Sequence, residues 1–332
     1  MTVHDLLIVG AGPSGLATAI AAARQGFDYQ VIEKGALVDA ILRFPVHMAF
    51  FTTPELLEIG GLPLTTSFDK PTRLEALRYY RRVVETFGLQ VTLGEEVFDI
   101  QREPVPGEPD ARFAVHVRSR RGVRRVVHAR ALVLAIGYYD NPNLLGIPGE
   151  DLPHVSHYYR EAHPYYRQQV VVVGGKNSAA ETALELYRAG AHVTLVHRRA
   201  ALGDSIKYWV KPDLENRIRA GSIPARFETR VVEIRPTSVV VEHAGQREEL
   251  PADAVFLLTG YHADTRLFTA AGVELTARGG PRHNPETMET NVPNVFVAGG
   301  AVAGLDTGAV FIENGRFHGE RIVEVLARRR GR

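Results

Sequence analysis

Residues 6–33 read LLIVGAGPSGLATAIAAARQGFDYQVIE, and this stretch decides the fold. The apolar run at 6–9 is typical of a buried parallel strand. A glycine turn at 10–15 follows it directly, and an alanine-rich segment then leads to a second apolar run at 29–32. Glu33 stands at the end of that run. The order of strand, glycine turn, helix, strand and acid predicts a unit that binds an adenine dinucleotide.

Each conspicuous residue of this unit has a chemical use. Gly10 permits the tight turn, Gly12 lets the backbone approach a pyrophosphate, and Gly15 lets the helix pack closely on the strand. Backbone N–H groups at the start of the helix hold the phosphates. Glu33 accepts hydrogen bonds from a ribose hydroxyl. The alternative is a glycine turn with a purely structural role.

A second copy of the unit lies 164 positions further along the chain. A valine run at 170–173 replaces the first strand, and a second apolar run lies at 193–196. Where the first copy has Gly10, Gly12, Gly15 and Glu33, the second has Gly174, Lys176, Ala179 and His197. The shared spacing predicts an internal duplication and therefore a second dinucleotide site.

The change at the acid position predicts the coenzyme. A carboxylate repels a 2′-phosphate, whereas a guanidinium pairs with it, so His197, Arg198 and Arg199 favour NADP(H) over NAD(H). A solvated basic helix cap is the alternative. Lys176 obstructs close backbone approach unless its side chain points away or meets the phosphates itself. The predicted NADPH residues are Gly174, Gly175, Lys176, Asn177, Ser178, Ala179, His197, Arg198, Arg199 and Gly260.

Three further strand-like segments complete the predicted architecture. Residues 132–138 and 255–261 resemble each other, because each is an apolar run that leads into Gly-Tyr. A third apolar run that ends in glycine lies at 295–300. We expect an α/β fold with two Rossmann-like, three-layer dinucleotide-binding domains, the NADPH domain being inserted in the FAD domain. The predicted FAD domain comprises residues 1–152 and 266–332, and the NADPH domain residues 153–265. The predicted FAD residues are Gly10, Gly12, Pro13, Ser14, Gly15, Glu33, Lys34, Gly137, Gly300, Thr307, Gly308 and Ala309.

Composition excludes several classes of function. The 332 residues carry a formal net charge of +1, which gives no global drive toward nucleic acid or an anionic membrane. No cysteine is present, so disulfide frameworks, cysteine–metal sites and a catalytic thiol are excluded, and no metal site is expected. The uncharged stretch 6–23 contains the glycine turn, so we interpret it as neither a membrane span nor a signal peptide. We expect a cytoplasmic protein whose basic tail, 328–332, is frayed and solvated.

Several segments carry a resemblance to a known group. The whole chain resembles the two-dinucleotide-binding-domain flavoproteins, which include the low-molecular-weight thioredoxin reductases, and within them it resembles the bacillithiol disulfide reductase family. The resemblance implies FAD, NADPH, a homodimer or homotetramer, and reduction of an oxidised low-molecular-weight thiol such as bacillithiol disulfide. The segments that carry it are FPVHM at 44–48, PTR at 71–73, YYRR at 79–82, IGYYDNP at 136–142, GGKNSAAE at 174–181, SIKYWVKP at 205–212 and FIENG at 311–315.

The chain departs from these relatives at three places. Thioredoxin reductases of this class carry a Cys-x-x-Cys pair, which is absent here, so dithiol exchange with thioredoxin is excluded. Many bacillithiol reductases have a cysteine where this chain has Ser14, and a serine hydroxyl cannot form a mixed disulfide. Many flavoproteins have Gly-Asp where this chain has Gly299-Gly300, so FAD is expected to rely more on backbone contacts.

Fewer residues are candidates for a role in the reaction than for binding the cofactors. We expect hydride transfer from NADPH to the flavin. Residues 307–309, in the segment that precedes the last helix, are the candidate for stabilising the reduced ring through a helix N-terminus. An ordinary glycine-rich turn is the alternative there. His47 is the candidate proton donor, with a structural histidine as the alternative. Carboxylates of the substrate are expected to bind a set of cationic and aromatic side chains, unless these merely form a solvated face. That set comprises Arg43, Lys207, Trp209, Lys211 and Arg217.

Three other functions fit a cysteine-free flavoprotein with this organisation. A ferredoxin or flavodoxin–NADP reductase would pass single electrons to a protein partner. A flavin monooxygenase-like enzyme is faintly suggested by Asn141-Pro142 and Pro148-Gly149. A non-catalytic redox sensor would bind NADPH and act through a partner.

Overall fold

The computed structural model describes residues 2–104 and 112–331. Within them the chain forms two compact units. The first unit comprises the described residues of Met1–Arg43, Met48–Asn141 and Tyr261–Arg332. The second comprises Phe44–His47 and Pro142–Gly260. The sequence places the corresponding boundaries at 153 and 265, and it gives no sign that 44–47 belongs with the second unit.

The strands and helices of the described residues are numbered here in chain order. The strands are β1 (Val3–Val9), β2 (Tyr29–Glu33), β3 (Val91–Leu93), β4 (Glu95–Glu103), β5 (Arg112–Ser119), β6 (Arg124–Leu134), β7 (Val155–Ser156), β8 (Gln169–Val173), β9 (His192–Val196), β10 (Ala225–Arg226), β11 (Arg230–Arg235), β12 (Ser238–His243), β13 (Gln246–Pro251), β14 (Ala254–Leu257) and β15 (Val295–Val297). The α-helices are α1 (Pro13–Arg24), α2 (Asp39–Arg43), α3 (Pro54–Leu57), α4 (Arg73–Phe87), α5 (Asn177–Arg188), α6 (Lys211–Arg219), α7 (Thr265–Ala270), α8 (Ile312–Gly315) and α9 (His318–Arg330).

The first unit is built on a mixed sheet. Its order is β3-β2-β1-β6-β5-β4, and β15 pairs with β6. The central strand β1 runs parallel to β2 and β6, with Leu6 opposite both Tyr29 and Ala131. Residues 6–9 are buried, as expected for a central parallel strand covered on both faces. Because the carboxyl ends of β1 and β2 meet at one edge, the glycine turn and Glu33 lie side by side.

The second unit has three layers. Its parallel sheet has the order β10-β9-β8-β14-β7, and β11, β12 and β13 form a separate antiparallel sheet. Successive residues of β8 belong to different cores: Val170 and Val172 pack with the alanines and leucines of α5, whereas Val171 and Val173 pack with Val239 and other residues of the antiparallel sheet. This alternation follows from the two-residue period of a strand, and it explains why β8 is apolar throughout.

Two helices show how local sequence sets the ends. Pro13 occupies the first turn of α1, where its missing N–H costs no hydrogen bond. Thr72 and Glu75 form a reciprocal capping box at the start of α4. Across the described residues, none of the helices is both long and apolar enough to cross a lipid bilayer.

The expectation of a frayed basic tail is wrong for the part of it that the structure describes. Helix α9 continues to Arg330. The Arg329 guanidinium nitrogens lie 2.6 and 2.7 Å from the Glu289 carboxylate, and Nη1 also donates to Asn294 Oδ1 at 2.8 Å. Arg330 donates to the Gly26 carbonyl oxygen at 3.1 Å. The tail is helical because its arginines find partners far away in sequence, which composition alone could not show.

Candidate functional site

The first glycine turn is shaped by close packing. A Cβ at Gly10 would collide with the carbonyl oxygen of Ala135, and one at Gly15 would collide with the carbonyl oxygen of Gly10. Gly10 also has φ of 106°, which disfavours other residues. Gly12 differs, because a Cβ there would meet nothing within 4 Å. Gly10 and Gly15 are therefore required by the protein itself, whereas Gly12 leaves open space beside the backbone for a ligand.

Glu33 is held against the turn by backbone groups. Its two carboxylate oxygens accept hydrogen bonds from the Ala11 N–H at 2.9 Å and from the Gly35 N–H at 2.7 Å. The residue is 8% exposed. Each oxygen keeps a further lone pair, so the carboxylate can still accept a hydroxyl donor. This fixed acceptor at the end of β2 fits the ribose of an adenine dinucleotide.

Lys34 and Arg43 meet at one carboxylate of the first unit. Lys34 Nζ lies 2.7 Å from Asp140 Oδ2. Arg43 pairs with both Asp140 and Asp39, and its guanidinium lies 5.7 Å from the ring centre of Tyr139. The structure therefore places both predicted residues beside the segment that follows Gly137, whose own φ is 63°.

Ser14 and the turn at Gly299 and Gly300 lie together. A Cβ at Gly299 would be 2.6 Å from Ser14 Oγ, and one at Gly300 would be 2.6 Å from the Tyr138 ring. Tyr138 Oη donates to the Thr307 carbonyl oxygen at 3.3 Å. Burial and the charge of Glu313 raise the pKa of Tyr138, which keeps this phenol protonated. The predicted FAD residues from four separate segments thus meet in the first unit.

Residues 307–309 lie in the segment that precedes the last helix, as the sequence predicts. These residues lie in a turn, a four-residue helix, α8, follows at Ile312, and the last helix, α9, begins at His318. Asn314 organises the intervening segment by accepting the Phe311 N–H and donating to the Ala309 carbonyl oxygen. The structure thus places residues 307–309 in a turn ahead of both helices, which the glycine and the side-chain hydrogen bonds favour, and their role at the reduced ring stays a prediction.

The second glycine turn repeats the first with different side chains. A Cβ at Gly174 would lie 2.7 Å from the Leu258 carbonyl oxygen. The His197 ring covers Gly175, just as Glu33 covers Ala11 in the first copy. Lys176 precedes α5 with φ of −120°, a conformation open to any residue, and its side chain is exposed. The backbone therefore tolerates a lysine where the first copy has Gly12.

Three positive or potentially positive side chains follow β9. Arg198 and Arg199 are exposed, and neither guanidinium has a carboxylate partner among residues 2–104 and 112–331. Burial, followed by the charges of Arg199 and Arg198, lowers the pKa of His197, so the ring is neutral at physiological pH. The two guanidiniums thus remain available to a phosphate, as the predicted NADPH site requires.

A loop of the second unit closes on this turn. The Gly203 N–H donates to the Gly175 carbonyl oxygen at 2.8 Å. The Asn177 amide donates to the Ser205 carbonyl oxygen and accepts the Lys207 N–H, both at 2.9 Å. Ser178 is exposed on the first turn of α5. Gly260, with φ of 93°, accepts the Asn143 N–H at 2.9 Å. The start of the 205–212 segment therefore lies beside the second glycine turn, a proximity that the sequence did not show.

The predicted substrate residues are divided between the two units, and the cations among them have partners within the protein. Lys207 pairs with Glu181, and Lys211 Nζ lies 3.0 Å from Asp204 Oδ1. Trp209 is 45% exposed and lies 5.8 Å from Lys207 Nζ, whereas Arg217 pairs with Asp213 on α6. Arg43 belongs to the first unit and His47, which is exposed in a turn, to the second.

The sequence provided no reason to single out two residues that lie beside the turn at Gly299 and Gly300, namely Tyr138 and His318. Tyr138 lies over Gly300, and its only sequence signal is its place after the strand-ending Gly137. His318 Nδ1 accepts the Gly299 N–H at 3.1 Å. A histidine in the first turn of a terminal helix has no motif around it, so only the structure shows this contact. No group of three or more acidic or histidine side chains in the described segments is arranged to hold a metal ion.

The residues present fit the two predicted cofactors. The first unit offers a glycine turn with open space at Gly12 and a fixed carboxylate at Glu33, which suit the pyrophosphate and ribose of FAD. The second unit offers the same turn followed by two exposed guanidiniums, which suit a 2′-phosphate. A family model described as pyridine nucleotide-disulphide oxidoreductase matches residues 7–299. The chain therefore belongs to the pyridine nucleotide-disulphide oxidoreductase family.

Individual relatives narrow this class. The chain is 41% identical to bacilliredoxin reductase Bdr of Bacillus subtilis, covering 99% of both chains. It is similar to the solved bacillithiol disulfide reductases of Bacillus cereus, at 41% identity and a TM-score of 0.94 over 99% and 100% of the two chains. The enzyme of Staphylococcus aureus is 38% identical, with a TM-score of 0.91 over 99% of both chains.

These similarities decide several predictions. The predicted family resemblance, fold class and oxidoreductase class are confirmed. FAD and NADPH are the cofactors of this family, so that prediction is also confirmed. The ferredoxin reductase-like and monooxygenase-like alternatives are not favoured.

Proposed function

We propose that this enzyme uses NADPH to reduce bacillithiol disulfide, or a related low-molecular-weight disulfide, without any enzyme thiol. The observation that carries the proposal is 41% identity to the solved bacillithiol disulfide reductase of Bacillus cereus, over 99% and 100% of the two chains, in a sequence without cysteine. A dithiol relay through the protein is therefore excluded, and electrons must pass to the substrate without a protein mixed disulfide.

The two units divide the work in this proposal. Glu33 and the turn at Gly10–Gly15 bind the adenosine diphosphate part of FAD, and Gly137, Gly300 and residues 307–309 flank the rest of it. The second glycine turn, with Arg198 and Arg199, binds NADPH. When bound, FAD supplies two-electron transfer between NADPH and a second acceptor. The balance is one NADPH, one proton and one disulfide giving NADP⁺ and two thiols, so the hydride electrons break the S–S bond.

The proposed substrate contacts come from cationic and aromatic side chains of residues 207–217. Lys207, Lys211 and Arg217 are proposed to receive carboxylates of the substrate, with Trp209 packing against it. Each of these cations already has a carboxylate partner within the protein, so a substrate carboxylate must compete with that partner. His47 is proposed as the proton donor because it is exposed, and Ser14 as a hydroxyl beside the flavin-binding turn.

The decisive experiment is anaerobic turnover with purified enzyme, NADPH and bacillithiol disulfide. NADPH consumption and free thiol are measured together, and two thiols per NADPH are expected. NADPH consumption that appears only when oxygen is admitted, with no thiol formed, would reject the substrate while leaving the cofactors in place.

A second acceptor follows from the name of the Bacillus subtilis relative, a bacilliredoxin reductase. The same assay with oxidised bacilliredoxin, with and without bacillithiol, separates the two. Turnover with bacilliredoxin alone would favour the protein acceptor, and turnover that requires bacillithiol would favour the small disulfide.

We also propose a cytoplasmic homodimer or homotetramer that binds neither nucleic acid nor membrane. NADPH is maintained inside cells, and the balanced net charge of +1 gives no drive toward polyanions. Light scattering of the holoenzyme measures the assembly, and fractionation of the native host measures the location. A monomer, or an enzyme that sediments with membranes, would contradict the respective proposal.

A further inference from the structure

The turn formed by Gly299 and Gly300, the first two residues of a short 3-10 helix (Gly299–Ala303), lacks side chains of its own. It follows β15, and Gly299 has φ of 69°. Many related flavoproteins place an aspartate here, whereas this chain offers only backbone groups. A turn that acts through its backbone must be oriented by its neighbours, because two successive glycines have more conformational freedom than any other pair.

One neighbour makes a directed contact. His318 Nδ1 accepts the Gly299 N–H at 3.1 Å, and the histidine is 8% exposed. The hydrogen bond spans 19 residues of sequence and ties the turn to the first residue of α9. A buried N–H without a partner is costly, so the acceptor on His318 helps to decide which orientation the turn adopts.

The position of the imidazole is itself fixed by helix packing. Helix α9 touches α1 so closely at Gly319 that a Cβ there would be 2.5 Å from the Thr18 Cα. Thr18 Oγ1 in turn donates to the Ser14 carbonyl oxygen at 2.8 Å, a contact within α1. The histidine therefore relates the 299–300 turn to α1, the helix that begins at the first glycine turn.

The ring has the protonation state that an acceptor needs. Burial, followed by the charges of Arg321 and His283, lowers the pKa of His318 to about 4. The ring is therefore neutral at neutral pH. The Gly299 N–H contact selects the tautomer that carries the remaining proton on Nε2, which leaves the Nδ1 lone pair free to accept.

From this geometry we infer that His318 is a positioning residue for the cofactor: its Nδ1 holds the backbone of Gly299 and Gly300 in the orientation that binds FAD. The inference rests on the proposed FAD-binding role of Gly300. It adds a residue that does not itself touch the reacting atoms and whose loss should change the environment of bound FAD.

The test compares His318→Leu with His318→Asn. Leucine preserves bulk but removes the acceptor, whereas the asparagine oxygen can take the place of Nδ1. FAD affinity is measured by titrating FAD-depleted protein, and the environment of the bound flavin by its visible circular dichroism. We expect FAD affinity to fall about tenfold in His318→Leu, with an altered dichroism band, and to stay within about threefold of wild type in His318→Asn.

A matched control separates positioning from general stability. His128 is a buried histidine of the same unit, on β6, with a longer contact of 3.7 Å to Glu103. His128→Leu should lower the melting temperature without altering FAD affinity or the dichroism band. If His318→Leu does not fold, His318→Gln replaces it, because its amide oxygen lies further from the backbone than Nδ1 does.

The outcomes distinguish this inference from the function on which it rests. A wild-type protein that binds no FAD would reject the proposed cofactor site. A wild-type protein that binds FAD, with His318→Leu indistinguishable from it in affinity and dichroism, would overturn only the role of His318. Equal losses in His318→Leu and His318→Asn would also overturn it, since an acceptor at this position would then not matter.

Discussion

The glycines of the first turn look alike in sequence but differ in what they contact. The space beside Gly15 is occupied by the protein, because a Cβ there would collide with the Gly10 carbonyl oxygen. Gly12, by contrast, faces open space. A motif gives both the same letter. The structure separates a residue needed for folding from one needed for binding, and this difference can be measured.

We expect Gly15→Ala and Gly12→Ala to fail in different ways. Overpacking at residue 15 should lower the free energy of unfolding of the FAD-depleted protein by about 1–3 kcal/mol. Gly12→Ala should change the free energy of unfolding by less than about 1 kcal/mol. Its FAD affinity should fall at least tenfold, because the added methyl group occupies space that the ligand needs. Urea unfolding and FAD titration of both variants measure this, and equal stability losses would contradict it.

The coenzyme preference should reside in two arginines. Replacing Arg198 or Arg199 by alanine removes a charge-assisted bond to a 2′-phosphate, so kcat/KM for NADPH should fall about tenfold per arginine. The value for NADH should not change. Arg230→Ala, an exposed arginine of the same unit, serves as the control. A parallel loss for both coenzymes would show that these residues do not read the phosphate.

Acid should destabilise the protein partly through His318. Its folded pKa of about 4 lies below the ordinary value of 6.5, so the unfolded chain binds the proton more readily. Stability is therefore complete above about pH 6.5 and is lost as the pH falls toward 4, by up to about 3 kcal/mol. Urea unfolding at about pH 7 and about pH 4.5 measures the loss, which should be smaller in His318→Asn. An equal loss in both proteins would assign the effect to other groups.

At the scale of elements, the sequence predicted what is local and missed what is distant. The strand–turn–helix–strand units follow from apolar periodicity and glycine placement within about thirty residues. The start of α9 at His318 and the turn at 307–309 depend on contacts from other segments, such as Asn314 to Ala309. No periodicity encodes those contacts, so they could not be predicted.

Helix α9 should depend on one arginine more than on its neighbour. Arg329→Ala removes the paired bonds to Glu289 and leaves a carboxylate that is only 17% exposed, so we expect a loss of about 1–2 kcal/mol. Arg328 pairs with Glu324 at 3.6 Å on the open face of the helix, and Arg328→Ala should cost less than about 0.5 kcal/mol. Urea unfolding of both variants checks this, and equal losses would reduce the effect to helix propensity.

At the scale of the whole molecule, the duplication was readable because both copies keep the same spacing from glycine to acid position. The boundaries were less readable: the compact units divide at 142 and 260, and 44–47 joins the second through a hydrogen bond from the Val46 N–H to the Arg160 carbonyl oxygen. The sequence also could not show that the predicted substrate cations already pair with carboxylates of the protein, since such ion pairs leave no signature in sequence.

Two units with separate glycine turns should respond separately to ligands. In hydrogen exchange of the FAD-depleted full chain, FAD should slow exchange around 9–15 and 33–35, and NADP⁺ around 173–179 and 197–199. Bound ligand removes the open states in which these amides exchange. Protection of the same segments by both ligands would contradict the assignment of one cofactor to each unit.

Ser14 Oγ lies beside Gly299 and Gly315. A hydroxyl in place of a thiol at this position affects how the enzyme resists oxidation by peroxide. Sulfenic and sulfinic acids form on thiolates, and this polypeptide has none to lose. Electrophiles and oxidants that inactivate thiol-dependent enzymes by modifying a cysteine have no cysteine to modify beside this turn. Such an enzyme would keep working when the demand for reducing power is greatest.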